Sequence, residues 1–248
     1  MENPKPENQI MFLQLEDRID PWYYHPKYRE IKEKLQKTGY SLIPIDDVVK
    51  KTDSLFKPKE HLDEVFNYIE TNDVDLEAGK IISSKQITGK SAPSRAKYIL
   101  KEGDFLIPNA RDCIRGIAVV TKEFEGYICT NRFFVVRPDV DKVIPKYLFY
   151  ILRQPEILCL LKQQATGEIN PGINYNALKR VKIPVPDKPI QRKLVQQIEE
   201  KEKEIKELLE KIEKCEKDIS SIIRGGLPSL EIDRKKMKKL GYDYIGDL

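Results

Sequence analysis

The sequence predicts an α+β chain: a β-rich domain with short helices, followed by a long C-terminal coiled-coil helix. Three observations carry this. Between Ser41 and Pro138 the apolar residues come in short runs with β-branched or aromatic content, each bounded by Gly, Pro, Asn or Asp, as strands are. Two apolar stretches opening at Pro145 and Pro155 have helical character. Beyond Pro189, isoleucines recur at a seven-residue interval, at Ile198, Ile205, Ile212 and Ile219.

Taken in order, residues 1–40 form an N-terminal arm and helix. The run RIDPWYYHPKY is extended, aromatic and proline-bounded. Pro26 then opens a helix with Tyr28, Ile31 and Leu35 on one face and Gly39 as its stop. Residues 41–189 form the β-rich domain, with strands expected at LIPI, VFNYIE, KYIL, DFLIP, GIAVV, GYICT and RFFVV. Pro155 interrupts KYLFYILRQPEILCLLKQQ, which predicts two short helices or one kinked helix packing Tyr147, Leu148, Ile151, Leu152, Leu158, Leu160 and Leu161 on the sheet. VKIPVP at 181–186 returns as an edge strand, since its prolines cannot donate to a central ladder. Residues 190–224 form the coiled-coil helix, roughly 50 Å long at 1.5 Å per residue. Its second seam runs Leu194, Lys201, Leu208, Cys215 and Ile222, and Gly225 and Gly226 end it. Residues 225–248 are a basic, then aromatic tail to which the pattern assigns no role.

The net charge of +4 is unevenly distributed. Residues 1–80 carry −5, residues 81–137 carry +5, residues 157–193 carry +5 and residues 194–248 carry −1. The positive excess therefore sits in two middle blocks, where a polyanion is attracted. No apolar run is long enough to span a membrane, and the N-terminus lacks the basic flank and apolar core of a secretory signal. Four dispersed cysteines without a CxxC fit a reduced cytoplasmic protein.

No motif makes a convincing enzyme. Gly89-Lys90-Ser91 resembles the end of a phosphate-binding loop, but Ser84 stands where the leading glycine is needed. Asn170-Pro171-Gly172-Ile173 lacks the second proline and the aromatic of an amino-methyltransferase signature and reads as a turn. The two histidines, His25 and His61, have no ligand-like neighbours, so neither zinc nor nucleophilic chemistry is expected. No cofactor is expected.

A family resemblance rests on Gly103-Asp104-Phe105-Leu106 with Asn109 and Arg111, Gly116-Ile117-Ala118-Val119, and Asn131 through Pro138. It continues through Tyr147–Leu152, Ala165-Thr166-Gly167, Ile173-Asn174, Leu178 and Ile183–Pro186 into the helix, and the arm Arg18-Ile19-Asp20-Pro21 with Tyr23, Tyr24 and Pro26 joins it. In order and spacing, residues 18–224 resemble a target recognition domain of a type I restriction-modification specificity subunit. Full subunits of that family have two such domains separated by an antiparallel helical spacer. This chain has one domain, one helix and no internal repeat, and so resembles a half-subunit. A single-domain recognition module of a fused methyltransferase-nuclease, and a non-DNA coiled-coil adaptor, are the other readings.

The resemblance implies that the domain reads duplex DNA, with Arg contacting guanine and Asn or Gln contacting adenine. The expected DNA-binding residues lie on loops of the basic blocks. They are Ser83, Ser84, Lys85, Lys90, Ser91 and Arg95, then Asn109, Arg111 and Arg115, then Gln163, Gln164, Thr166, Asn170 and Asn174. Asn131 and Arg132 open a strand and read as structural. The expected dimerisation seam is Leu194, Ile198, Ile205, Leu208, Ile212, Ile219 and Ile222. Ile and Leu seams favour parallel pairs. Lys201 and Cys215 interrupt the second seam, which favours the family's antiparallel geometry. Methylation and cleavage belong, on this resemblance, to a modification subunit using S-adenosylmethionine and a restriction subunit using ATP and magnesium.

Overall fold

The computed structural model describes residues 22–223. The first part of the arm, including Arg18 to Pro21, and the tail from residue 225 lie outside the described residues. In chain order the elements are α1 (Pro26–Gln36), β1 (Leu42–Pro44), β2 (Val49–Lys51), β3 (Val65–Ile69), β4 (Val74–Asp75), β5 (Lys80–Ile81), β6 (Lys85–Thr88), β7 (Ala96–Ile99), β8 (Phe105–Pro108), β9 (Ala118–Val119), β10 (Ile128–Thr130) and β11 (Phe133–Pro138). Then follow α2 (Pro145–Leu152), α3 (Pro155–Gln163), α4 (Tyr175–Arg180), β12 (Lys182–Pro184) and α5 (Lys188–Ile223). The chain divides into two compact units, Met1–Val195 and Gln196–Leu248.

The first unit is built on two four-stranded sheets. One runs β6-β3-β10-β7, with β3 and β10 parallel and the other pairs antiparallel. The other runs β2-β11-β8-β9, antiparallel throughout. β4 and β5 form a small hairpin, and β1 pairs with β12 in a two-stranded sheet, which makes VKIPVP an edge strand as its prolines require. Each expected apolar run holds a strand. β2, β4, β5 and β6 were not expected from the pattern. They are two to four residues long, three of them contain Lys, and they exist through pairing with neighbours rather than through an apolar period.

β8 and β11 explain why their sequences do not alternate. All four residues of β8 are buried, and so are five of the six in β11. Phe105, Ile107, Phe134 and Val136 pack with Leu148, Leu152, Ile157, Leu161 and Leu178 from the helices. Leu106, Phe133 and Val135 pack on the opposite side with Ile69, Leu100 and Cys129. Both faces are covered, so both parities must be apolar. Each large side chain fully buried here contributes roughly 1.5–3 kcal/mol. Pro155 does separate two short helices, and the packed face includes Tyr147, Leu148, Leu152, Leu160 and Leu161, with Ile151 and Leu158 half-buried. α1 packs Tyr28 and Leu35 into the same core, so the arm helix belongs with the β-rich domain.

Three polar side chains tie this unit together. Asp104 is fully buried at the start of β8, and its Oδ1 accepts from Arg137 Nε at 3.0 Å and Nη2 at 2.7 Å. Arg153, at the end of α2, donates from Nη1 to the carbonyls of Arg115 at 2.7 Å and Ile117 at 3.1 Å, and from Nη2 to Leu76 at 3.2 Å and to Glu77. Gly79 has φ 63°, and a Cβ there would lie 2.5 Å from Arg153 Nη1, so only glycine lets the β4–β5 hairpin close over the guanidinium. Gln191 is buried in the second turn of α5. Its Oε1 accepts from the Ile144 N–H at 2.8 Å, and its Nε2 donates to the Pro186 carbonyl at 2.7 Å.

α5 begins at Lys188, with Pro189 inside its first turn rather than ahead of it. Val195 is buried and Leu194 packs on the core. In the second unit Ile205, Leu208, Leu209, Ile212, Ile219 and Ile222 are 47–59% exposed. Among the described residues no helix is long and apolar enough to cross a membrane, and no group of acidic, His and Cys side chains is arranged to hold a metal ion.

Arg153→Lys should destabilise the chain by about 2 kcal/mol, because an ammonium cannot satisfy four carbonyls that the planar fork serves at once. A lower urea midpoint with an unchanged slope is the expected result; a midpoint equal to wild type would show that these carbonyls find other partners.

Candidate nucleic-acid interface

Five connections meet at one end of the two sheets. They are the turn Thr71–Asp73 after β3, the turn leading into β7, the segment after β8, the Asn131-Arg132 link between β10 and β11, and the loop following α3. Four of them, all but the Thr71–Asp73 turn, are bonded to one another through the backbone. Asn109 N–H donates to Arg132 O at 2.8 Å and Asn131 N–H to Arg95 O at 2.8 Å. Arg111 N–H donates to Pro171 O at 3.0 Å, and Ile173 N–H to Asn109 O at 2.7 Å. Thr166 and Gly172 exchange two bonds of 2.8 Å, so the Asn-Pro-Gly segment is a closed loop with Gly167 at φ 103°. Backbone bonding on this scale holds the side chains it carries at set positions.

The connections enclose a concavity of about 360 Å³. Arg95, Arg111, Arg132 and Asn170 line it, together with Glu70 and Asp112. The positive charge of the concavity comes from the first basic block, through Arg95, Arg111 and Arg132, while the second block contributes the neutral Asn170, Pro171 and Gly172. Arg111 also lies 5.8 Å from the centre of the Trp22 ring, which Lys27 Nζ approaches at 4.1 Å. Trp22, Lys27, Arg111, Arg115 and Lys162 line a second concavity of about 650 Å³ that shares Arg111 with the first.

The expected site residues divide between these places. Lys85 and Arg95 converge on Glu70, Nζ at 3.1 Å from Oε2 and Nη2 at 3.2 Å from Oε1. Lys85 opens β6 rather than lying on a loop, and the carboxylate beside it raises its ammonium above the ordinary lysine range. Ser83 Oγ donates to the buried Asp73 at 2.5 Å. Arg115 pairs with Glu77 at 2.6 Å. Asn109 donates from Nδ2 to the Asn131 carbonyl at 3.0 Å. Ser91 bonds with Thr88, and Ser84 and Lys90 are exposed. Gly89 of the GKS run sits against the His61 carbonyl, where a Cβ would lie at 2.0 Å, so its need for glycine is a packing one.

Gln163, Gln164, Thr166 and Asn174 lie instead along a cleft of about 550 Å³ with Lys32, Arg180 and Lys182 on its border. Gln163 is 2% exposed, and its Nε2 donates to the Tyr23 carbonyl at 2.7 Å. That burial makes Gln163 a packing residue between the arm and α3 and corrects the expectation that it faces solvent on a loop. Asn174 caps α4, with Oδ1 accepting from the Ala177 N–H at 2.8 Å. Thr166 and Asn170 are exposed on the closed loop, whose tip residue Ile169 is 92% exposed.

Sequence reasoning passed over Arg132, Trp22, Lys27 and Glu70. Arg132 was read as opening a strand; it lies in the turn just before β11 and lines the groove. A signal for Trp22 was present in the aromatic arm. None existed for Glu70, whose importance depends on residues 15 and 25 positions away.

Residues 38–217 match the family model described as type I restriction modification DNA specificity domain. A curated relative, the type I restriction enzyme HindI specificity subunit of Haemophilus influenzae, is 24% identical over 135 residues, covering 53% of this chain and 29% of that protein. Among solved structures, the HsdS subunit from Thermoanaerobacter tengcongensis superposes with a TM-score of 0.65 and 26% identity, covering 75% of this chain and 48% of that one. A chain from a type I R-M system, solved for its complex assembly and conformational transition, superposes with a TM-score of 0.64 and 26% identity, covering 77% and 49%. The chain thus spans about half the length of these solved relatives and less than a third of the curated one. With the family model covering well over half of its residues, the chain belongs to the type I restriction-modification DNA specificity family.

Proposed function

We propose that this chain is the non-catalytic, sequence-reading component of a type I restriction-modification assembly and that its β-rich domain binds duplex DNA. The observation that carries this is the groove in which Arg95, Arg111, Arg132 and Asn170 meet from four separate loops. Arg and Asn are the side chains that read guanine and adenine by paired hydrogen bonds, and the surrounding Lys and Arg supply phosphate contacts. In this reading residues 41–189 are the target recognition domain and residues 1–40 its arm, residues 190–224 are a spacer, and residues 225–248 are a tail. Thr166 and Asn174, and the exposed Ser84, Lys90 and Ser91, serve at its margins. The protein works in the cytoplasm, where four unpaired thiols are stable.

The spacer pairs two copies through Ile198, Ile205, Ile212 and Ile219 with Leu194, Leu208 and Ile222. The exposed aliphatic seam supports this, because such a row is costly to leave in water. Two identical domains related by a two-fold axis read inverted half-sites, held about 15 base pairs apart at most by a helix of roughly 50 Å. A methyltransferase subunit and a translocating restriction subunit supply the chemistry.

Three outcomes test this. The logarithm of the affinity for duplex DNA should fall linearly with the logarithm of salt concentration, and selection from a random pool should return a split palindrome. A contiguous asymmetric consensus would count against pairing, and no salt dependence would count against DNA binding. Arg111→Ala should cost about 1–3 kcal/mol on the selected duplex with little change on unrelated DNA; an equal loss on both would make Arg111 a phosphate contact. Cys215 reports helix direction. In a fully overlapped antiparallel pair centred on Leu208, the two Cys215 residues lie about 21 Å apart along the axis and cannot be bridged. Mild oxidation should therefore leave the paired protein uncrosslinked, whereas a Cys215–Cys215 disulfide would mark a parallel pair.

A further inference from the structure

We propose that Glu70 is a positioning residue that sets the selectivity of the groove, holding Lys85 and Arg95 back from indiscriminate phosphate contact until a matching site engages them. The inference rests on the DNA-binding reading above and deepens it.

The carboxylate is fixed before any ligand arrives. Glu70 follows β3 and caps the turn Thr71–Asp73, with its side chain accepting from the Asp73 N–H. Its own N–H donates to Asp73 Oδ2 at 2.8 Å. Asp73 is 6% exposed and is itself held by Ser83 Oγ at 2.5 Å. A side chain anchored by such a reciprocal pair needs little further ordering.

Glu70 is also the point where one strand and one turn deliver their cations. Lys85 comes from β6 and Arg95 from the turn before β7, and each takes one carboxylate oxygen. The Glu70 side chain is 25% exposed, while those of Lys85 and Arg95 are 64% and 51% exposed. The cations thus reach solvent with an anion behind them. The raised Lys85 titration is consistent with that pairing.

A phosphate placed at random against Lys85 or Arg95 also meets the Glu70 charge, and like-charge proximity weakens the contact. A cognate site offsets this through base-edge bonds from Arg95 or its neighbours, which an unmatched sequence cannot make. Glu70 therefore lowers non-specific affinity more than specific affinity. A purely structural role would change both alike.

The test uses the full chain and two duplexes of equal length, one selected by the wild type from a random pool and one of mixed sequence lacking that motif. For Glu70→Gln, affinity for the mixed duplex should rise about 3–10-fold and that for the selected duplex less than about 2-fold. The salt slope on the mixed duplex should steepen by about one phosphate contact. In a Lys85→Gln background the gain from Glu70→Gln should shrink, because one of the released cations is gone. Should Glu70→Gln fail to fold, Glu70→Asp, which withdraws the carboxylate by one methylene, should give a smaller rise on the mixed duplex. Wild-type discrimination with an unchanged ratio and slope in the variants overturns this inference alone, as does an equal loss on both duplexes. A wild-type chain with no salt-dependent binding to either duplex overturns the DNA-binding reading, and this inference with it.

Discussion

β8 and β11 are covered on both faces, and that constraint shapes the rest of the first unit. Helices occupy one side and the second sheet the other, so neither strand has a free face on which to place a functional side chain. Apart from Arg137, exposed polar side chains are therefore carried by the connections at the ends of these strands. The same strands supply rigid mounts: Asn109 leaves β8, Arg132 enters β11, and the hydrogen bond between their backbones fixes where the groove begins. A well-packed core of this kind transmits position without itself taking part in binding.

The polar staples extend that control to parts the apolar core does not reach. Arg153 holds the β4–β5 hairpin and the segment after β8 with one guanidinium, and Gly79 allows the approach. Asp104 is a buried carboxylate, which is costly without a partner, and Arg137 with the Lys101 N–H supplies one. Gln191 secures the first turns of α5 to the segment before α2. Of these residues, Asp104, Arg137 and Arg153 keep charge within the fold for structural reasons. In the groove, Arg95 pairs with Glu70 and Arg111 with Asp112, and Arg132 lines the same concavity.

α5 has two parts with different chemistry. Near its start Val195 is buried and Leu194 packs half-buried on the core of the domain. From Ile205 to Ile222 an aliphatic row is half exposed, although the helix is continuous and most of its other positions are Lys and Glu. Helix propensity and i,i+4 pairs such as Lys217 with Glu213 support the backbone of such a segment, but they leave the seam uncovered.

Much of the architecture was legible in the sequence because it depends on local pattern. Short apolar runs between turn residues marked β3, β7, β8, β10 and β11, Pro155 separated α2 from α3, and the heptad isoleucines marked α5. The order of the GDF, NRFFVV and IPVP runs was enough to indicate the family. What the chain alone did not determine was decided by long-range contact. β2 and β6 owe their existence to partners far away in sequence. Gln163 looked like a solvent-facing reader until Tyr23 buried it, and Glu70 was one acid among forty until folding brought Lys85 and Arg95 to it. Periodicity and turn chemistry act over a few residues and can be read along the chain. The neighbours of a side chain across 15 to 140 positions exist only once the sheets have closed.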